Sequence, residues 1–284
     1  MPGFLKGLDE DIGRDLICKF KNLWIYGSAG ADKESFSEEA AFMTGIGMTV
    51  CCRRLEEYQR NAGLSAAVDR ILDMAGHPSL ISEHDLFVLH KMLKADTDGE
   101  EPVGAWKDET NGTWTDEDGN RNIYCEYALP EDVPCLMSKW IVLLNHFNMI
   151  TRSQEEAVFA YAALHLSFVR IHPFCDGNGR MARLLANLPV MRAGFPPILV
   201  PEEKRKEYIR DLAGYKQAAG CPHRNSCLLP CNAHLKVFVT FCCSLWDESL
   251  DLLHKARERQ EARTQRKKAL SPVLRSLSPS LRMG

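Results

Sequence analysis

The stretch that decides the fold runs from Ala163 to Pro197 and reads ALHLSFVRIHPFCDGNGRMARLLANLPVMRAGFPP. An apolar helix-forming run ends near His172, a glycine-rich loop follows, and a second amphipathic run starts within GNGR and ends at Gly194. Glycines let the backbone approach a ligand closely, and the first N–H groups of the following helix have no partners inside that helix. The loop therefore predicts an anion site suited to phosphate groups.

The polar side chains of this loop fit phosphate chemistry. Arg180 and Arg183 lie about one helical turn apart and can both donate to phosphate oxygens. Asp176 is a hard oxygen ligand of the kind that a magnesium ion shared with phosphates requires. His172 is a residue type that can take a proton from an attacking hydroxyl near neutral pH. These residues favour transfer of a nucleotide phosphate group, and the alternative, in which His172 caps a helix and the glycines only turn the chain, stays open.

Outside the loop, the periodicity is helical except in one segment. Residues 104–134 contain two strand-like runs, GTWT and NIYCEYAL, which flank the turn sequence DEDGN and predict a β-hairpin. We therefore predict an all-α domain that carries one hairpin. The predicted helices cover residues 11–26, 65–75, 82–95, 134–147, 153–169, 179–193, 201–219 and 235–253, and a further helix starts at Ser37.

Composition and charge narrow the class of protein. The 284 residues are 45% hydrophobic with a formal net charge of −3, and no run is apolar enough to span a bilayer, so we expect a cytoplasmic protein without a membrane partner. Overall charge does not favour nucleic acid as a partner. From Lys255 to Arg282, nine basic side chains stand against two acidic ones, and we predict a solvated helix end that passes into a disordered Ser-Pro tail. Binding of this tail to nucleic acid or to an acidic membrane is the open alternative.

The eleven cysteines are an odd number in a chain without a secretory signal, which favours reduced thiols. Their one tight cluster, CPHRNSCLLPCNAH, contains Cys221, His223, Cys227, Cys231 and His234. Thiolates and imidazoles are zinc ligands, but this spacing is not one of the common paired patterns. A zinc site and a set of loop thiols both remain open.

The sequence HPFCDGNGRMAR, residues 172–183, matches the whole pattern His-Pro-Phe-x-Asp-Gly-Asn-Gly-Arg-x-x-Arg of Fic-domain proteins. The resemblance extends over roughly residues 26–219. Fic proteins are all-α enzymes that mostly transfer AMP from ATP to a Ser, Thr or Tyr hydroxyl of a target protein. We therefore expect N-terminal helices over residues 1–79, a Fic catalytic domain with its hairpin over 80–253 and, from composition, the basic disordered tail over 254–284.

The resemblance also implies a role for each position of the loop, with Mg²⁺ as cofactor and ATP as substrate. Phe174 is expected to anchor the loop in the core, and Cys175 occupies a variable position and is not expected to act as a nucleophile. The base is His172, the magnesium ligand is Asp176, the α-phosphate is held by the Gly177, Asn178 and Gly179 backbone with the Asn178 side chain, and the outer phosphates are held by Arg180 and Arg183.

The hairpin resembles the flap of the family, which positions the target protein as an added strand. Cys125 and Glu126 are then expected near the nucleotide base. Tyr208 matches a family tyrosine beside the adenine, whereas Lys216 stands where an asparagine is expected. Adenine recognition is therefore less well supported than phosphate binding.

Several alternatives to AMP transfer remain. A phosphotransferase variant of the family carries lysine at the position of Gly179, which argues against that activity. Removal of AMP from a modified protein, transfer of another nucleotide group and a non-catalytic ATP-binding module stay open. A homodimer is an open alternative to a monomer.

The stretch YGSAGADKESFS, residues 26–37, resembles the inhibitory segment of many Fic proteins, Ser/Thr-x-x-x-Glu-Gly/Asn. Ser28 falls on the serine and Asp32 on the glutamate, which in the family pairs with the residue that corresponds to Arg183. Because Asp32 is one methylene shorter, we expect partial restraint of activity. Glu39 is a weaker candidate for the same role, and the alternative is that the segment only ends a helix.

Overall fold

A computed structural model of the chain describes residues 1–29, 55–94, 103–117 and 121–277, which form nine α-helices and one β-hairpin. This confirms the predicted all-α class with a single hairpin. In chain order the elements are α1 (Glu10–Ala29), α2 (Leu55–Gly76), α3 (Glu83–Leu93), β1 (Gly112–Glu117), β2 (Arg121–Glu126), α4 (Val133–Ile150), α5 (Gln154–Ile171), α6 (Asn178–Leu185), α7 (Asn187–Arg192), α8 (Arg205–Ala219) and α9 (Ala233–Leu277).

Helix α5 is the central element of the fold. Its residues are apolar or small on all sides, which is the pattern of a helix surrounded by protein. A capping box fixes its start, because the Ser153 side chain accepts from the Glu156 N–H while the Glu156 carboxylate accepts from the Ser153 N–H. Trp140 of α4 is fully buried and donates to the Leu164 carbonyl at 3.1 Å. The helix is therefore held rigidly, and the loop that follows it starts from a fixed point.

Helix α9 corrects the predicted disordered tail, because residues 254–277 continue the helix. Ion pairs with the N-terminal segment hold the charged part of α9 in place. Arg263 lies 2.6 Å from the Asp11 carboxylate, and Arg259 lies 2.6 Å from Asp15. The basic side chains are thus partly matched by acidic residues that are distant in sequence, which a composition argument does not reveal.

Other helix boundaries differ modestly from the prediction. Helix α1 extends three residues beyond its predicted end and includes Ser28, and α2 starts ten residues earlier than predicted. The predicted helix over 179–193 is divided into α6 and α7, because Pro189 has no N–H to continue the hydrogen-bond ladder. The helix predicted to start at Ser37 lies outside the described residues.

The hairpin is antiparallel, with Gly112 opposite Glu126 and Glu117 opposite Arg121. It is shorter than predicted on its second strand, since Tyr127 and the residues after it leave the ladder. Within the described ranges, no helix combines the length and the apolar character that crossing a membrane requires.

Candidate active site

The loop of residues 172–177 joins α5 to α6 through two tight turns. His172 caps α5 in the left-handed conformation with φ 55°, and its N–H donates to the Phe168 carbonyl at 2.9 Å. Gly177 ends the loop with φ 76°. His172 is the one non-glycine residue with positive φ in the described chain, a conformation that persists only where surrounding contacts enforce it. The fold therefore holds His172 in one orientation.

The contacts of His172 suit a general base. Its ring stacks on the Tyr127 ring with centroids 3.7 Å apart. Its Nδ1 lies 3.3 Å from the Val169 carbonyl, which only accepts, so Nδ1 carries the proton and Nε2 carries the lone pair. Burial, with a contribution from Lys107, lowers the pKa of His172 to about 3. The imidazole is therefore neutral and able to accept a proton at physiological pH.

The far face of Tyr127 is covered by a cation. Lys216 Nζ lies 3.4 Å from the Tyr127 ring centroid, a cation–π distance. Two groups so close to one centroid occupy opposite faces, so Tyr127 is sandwiched between His172 and Lys216. Lys107 also lies beside this group, and burial lowers its pKa to about 8. The side chains packed behind His172 are thus both ordered and positively charged.

Asn178 and Phe174 close the loop on itself. The Asn178 side chain accepts from the Phe174 N–H at 2.9 Å and donates to the Phe174 carbonyl at 2.7 Å. The Phe174 ring is fully buried, stacks on His90 at 3.9 Å and packs against Trp106, which confirms its predicted role as a core anchor. Both polar atoms of the Asn178 amide therefore bond to the loop backbone, whereas the sequence led us to expect that they face the α-phosphate.

The anion-binding geometry lies at the start of α6. Gly177 precedes the helix and supplies no side-chain cap, so the first-turn N–H groups, including those of Asn178 and Gly179, are left for a ligand. Gly179 lies next to the Arg183 guanidinium, since a Cβ at this position would be in van der Waals contact with Arg183 Nη1 at 3.4 Å. These features are those of a phosphate-binding helix N-terminus.

Asp176 is half-exposed beside this helix start and contacts two cations. Lys94 Nζ lies 2.8 Å and Arg180 Nη2 lies 3.3 Å from Asp176 Oδ2. Burial alone would raise the pKa of Asp176, but the hydrogen bonds from Lys94 and the Gly177 N–H outweigh it and lower the pKa. Asp176 is therefore ionised at neutral pH.

The Arg183 guanidinium is positioned by a tyrosine hydroxyl. Its Nη1 lies 3.4 Å from the Tyr208 hydroxyl, which in turn bonds to His165 Nε2 at 2.8 Å. Tyr208 is only 6% exposed, and its ring packs against Phe238. This corrects the expected contact between Tyr208 and a nucleotide base, because the ring is buried in the core and its hydroxyl braces Arg183.

Both ends of the hairpin are attached to the loop. On the way into β1, the Lys107 N–H donates to the Pro173 carbonyl at 2.9 Å and Asn111 Nδ2 donates to the Phe174 carbonyl at 3.2 Å. After β2, Tyr127 stacks on His172. Glu126 is exposed at the end of β2. The hairpin is therefore anchored directly beside His172.

Other predicted site residues are spread more widely. Cys125 lies in β2 opposite Thr113, and Cys175 is half-buried in the loop. Ser28 lies in the last turn of α1, and Asp32 lies outside the described residues.

The cysteine cluster between α8 and α9 forms no metal site in the described chain. No group of three or more metal-binding side chains converges anywhere in residues 1–29, 55–94, 103–117 or 121–277, which include the whole cluster. Cys221 instead donates its thiol to the Tyr127 carbonyl at 3.1 Å. Of the two open alternatives, the described residues therefore favour loop thiols over a zinc site.

Four residues of the site were not predicted to belong to it: His90, Lys94, Lys107 and Tyr127. His90 accepts from the Gly104 N–H at 2.9 Å through Nδ1, so its Nε2 carries the proton and donates to the Asp176 carbonyl at 3.1 Å. A histidine on the apolar face of α3 is the one sequence signal that could have indicated such a role.

The arrangement defines a class of protein: an all-α domain whose loop places a neutral histidine next to the N-terminus of the following helix. Residues 80–190 match the family model described as the Fic/DOC family. The chain is a Fic-domain protein.

Similar proteins support this assignment. The chain is 28% identical over 234 residues to protein adenylyltransferase Fic of Aedes aegypti, covering 80% of this chain and 40% of that protein. It is 30% identical over 194 residues to protein adenylyltransferase fic-1 of Caenorhabditis elegans, covering 67% of this chain and 35% of that protein. The chain thus spans about 40% or less of the length of these curated relatives.

A solved structure extends the likeness to nearly the full chain. The crystal structure of a Fic-domain-containing signalling protein from Bacteroides thetaiotaomicron aligns with a TM-score of 0.76 at 26% identity, covering 89% of this chain and 92% of that one. The fold of Fic-1 from Caenorhabditis elegans aligns with a TM-score of 0.65 at 23% identity.

Proposed function

We propose that this chain transfers AMP from ATP to a hydroxyl side chain of a target protein. The observation that carries the proposal is the neutral, fixed imidazole of His172 in the same short loop as the open N-terminus of α6. Two similar proteins bear the name protein adenylyltransferase, which supports the same activity.

In the proposed reaction, His172 Nε2 accepts the proton of the target hydroxyl. The hydroxyl oxygen forms a bond to the α-phosphorus of ATP, the bond between that phosphorus and the bridging oxygen breaks, and pyrophosphate leaves. The N–H groups at the start of α6 stabilise negative charge on the α-phosphate. Arg180 and Arg183 hold the outer phosphates, and Tyr208 keeps the Arg183 guanidinium in place.

Asp176 fits a magnesium ion by the chemistry of its donor. It offers an ionised oxygen next to the phosphate-binding turn, and Mg²⁺ is commonly held by one or two carboxylates together with substrate phosphates. When bound, magnesium would offset charge on the phosphates. The chain's own contribution is the fixed position of Asp176, to whose carbonyl His90 donates.

The hairpin supplies the proposed contact with the target protein. A two-stranded sheet has an unpaired outer edge on each strand, and such an edge can add an extended segment as a third strand. The attachment of the hairpin to the loop would bring that segment next to His172. Cys125 and Glu126, at the end of β2, are proposed to lie near the nucleotide base.

We also retain the proposal that Asp32 partly restrains the enzyme through Arg183. Arg183 is held on one side by Tyr208, and an aspartate can pair with a guanidinium held in this way.

The test uses two labelled nucleotides and intact mass. The purified chain is incubated with magnesium and ATP labelled at the α- or the γ-phosphate, with and without a cell lysate. AMP transfer predicts that the α-label but not the γ-label enters protein, and that His172→Ala abolishes the signal. His146→Ala, which alters an exposed histidine of α4, serves as the matched control. Incorporation of the γ-label would indicate phosphotransfer, and incorporation of neither label would indicate a non-catalytic module.

A further inference from the structure

The Asp176 carboxylate is already engaged by protein cations. Lys94 Nζ lies 2.8 Å from Asp176 Oδ2, and Arg180 Nη2 lies 3.3 Å from the same oxygen. A distance of 2.8 Å is that of a short, charge-assisted hydrogen bond. Asp176 Oδ2 is therefore shared by an ammonium group and a guanidinium group, with which a metal ion at this oxygen would have to compete.

Lys94 is placed by the fold for this contact. It is the C-terminal cap of α3, its N–H donates to the His90 carbonyl at 3.1 Å, and its side chain is 9% exposed. His90, one turn earlier on α3, donates to the Asp176 carbonyl at 3.1 Å. Helix α3 therefore contacts Asp176 at two points, at the backbone carbonyl through His90 and at the carboxylate through Lys94.

A divalent cation and an ammonium group compete for one carboxylate. They repel each other at the distance that sharing Asp176 would impose, and the low exposure of Lys94 limits the screening of this repulsion by water. Lys94 and Arg180 bring two positive charges to the Asp176 carboxylate, and these charges attract phosphate and oppose a metal ion.

We propose that Lys94 is an internal counter-cation of Asp176 that sets the metal dependence of nucleotide binding. Without metal, Lys94 and Arg180 supply the positive charge that the phosphates meet. When magnesium binds with the nucleotide, Lys94 gives up its bond to Oδ2. This inference rests on the proposed function, since it takes ATP as the ligand of the loop.

The experiment measures the dissociation constant of ATP by titration calorimetry, once in EDTA and once in excess magnesium chloride, for four proteins. The informative quantity is the ratio of the two constants, which expresses how strongly magnesium improves binding. Lys94→Met removes the charge and keeps the apolar stem. Lys91→Met removes the same charge from an exposed position one turn earlier on α3 and serves as the matched control. Asp176→Asn is the fourth protein.

For Lys94→Met we expect ATP binding in EDTA to weaken and the magnesium ratio to rise by about tenfold. Lys91→Met should leave the ratio at the wild-type value. Asp176→Asn should bind ATP in EDTA and show little improvement with magnesium. Thermal unfolding without nucleotide checks that each variant is folded. If Lys94→Met does not fold, the comparison of Asp176→Asn with the wild type still tests the proposal.

Three results would overturn the proposal. If Lys94→Met weakens ATP binding by the same factor in EDTA and in magnesium, Lys94 is an ordinary phosphate contact. If the magnesium ratio of Lys94→Met equals that of the wild type while the wild type still transfers AMP, only the proposed role of Lys94 is refuted and the proposed function stands. Failure of the wild-type chain to bind ATP in either condition would remove the proposed function together with this inference.

Discussion

The Asn178 amide offers a sharp test of how the loop is built. Asn178→Ala removes both hydrogen bonds to the Phe174 backbone, and both are buried. The Phe174 N–H is then left without an acceptor in a dry environment, which costs about 1–3 kcal/mol. The Phe174 carbonyl keeps its bond from Asn111, so the second loss is smaller, about 0.5–1 kcal/mol. We expect the free energy of unfolding to fall by about 1.5–4 kcal/mol.

Urea denaturation followed by circular dichroism measures this change, and calorimetry gives the affinity for ATP in the same variant. Asn148→Ala is the control, because its amide has no hydrogen-bond partner among the residues that the structure describes. That variant should lose about 1 kcal/mol or less. If Asn178→Ala unfolds like wild type while its ATP affinity falls, the amide is a ligand contact and the loop is not braced as argued here.

The remaining predictions concern the base, the arginine brace, acid stability and the inhibitory segment. The rate of AMP transfer should not fall through protonation of His172 between pH 8 and pH 5, because the pKa of His172 is lowered to about 3. A fall in rate near pH 6.5 that depends on His172 would contradict its role as a neutral base. Tyr208→Phe should weaken ATP binding by several-fold and leave the turnover number nearly unchanged, since the hydroxyl positions Arg183 and does not touch the reacting atoms. Burial lowers the pKa of His165 to about 3, so the unfolded state binds more protons than the folded state below pH 6.5. The contribution of His165 to the free energy of unfolding should therefore fall by up to about 1.4 kcal/mol per pH unit as the pH drops from 6.5 to 3. His165→Phe should remove this pH dependence. Asp32→Ala should raise self-modification with α-labelled ATP, and an unchanged signal would remove the inhibitory role.

The sequence was informative where the site is local. His172, Asp176 and Arg183 lie within twelve residues, so their spacing on a helix end and a turn could be interpreted without knowledge of the fold. The contacts that tune the site come from elsewhere in the chain. His90 reaches Asp176 across 86 positions and Lys94 across 82, and no spacing rule relates residues so far apart.

The incorrect predictions have a common physical cause. Tyr208 was predicted as a surface for a nucleotide base, but packing in the core decides its position, and its hydroxyl is used by Arg183 and His165. The basic tail was predicted to be disordered on composition alone. Its helix continues because Arg263 meets Asp11, a pairing that exists only once the two ends of the chain are folded together.

The charges of the site link its stability to its ligand. Lys94, Lys107, Arg180 and Lys216 are half-buried or buried around a loop whose own carboxylate is Asp176. Burial of Lys107 costs free energy, and its lowered pKa reflects that cost. A polyphosphate brings negative charge next to these cations, so charge attraction should add to its binding. The cations that are costly to bury therefore contribute to the attraction of the site for a nucleotide.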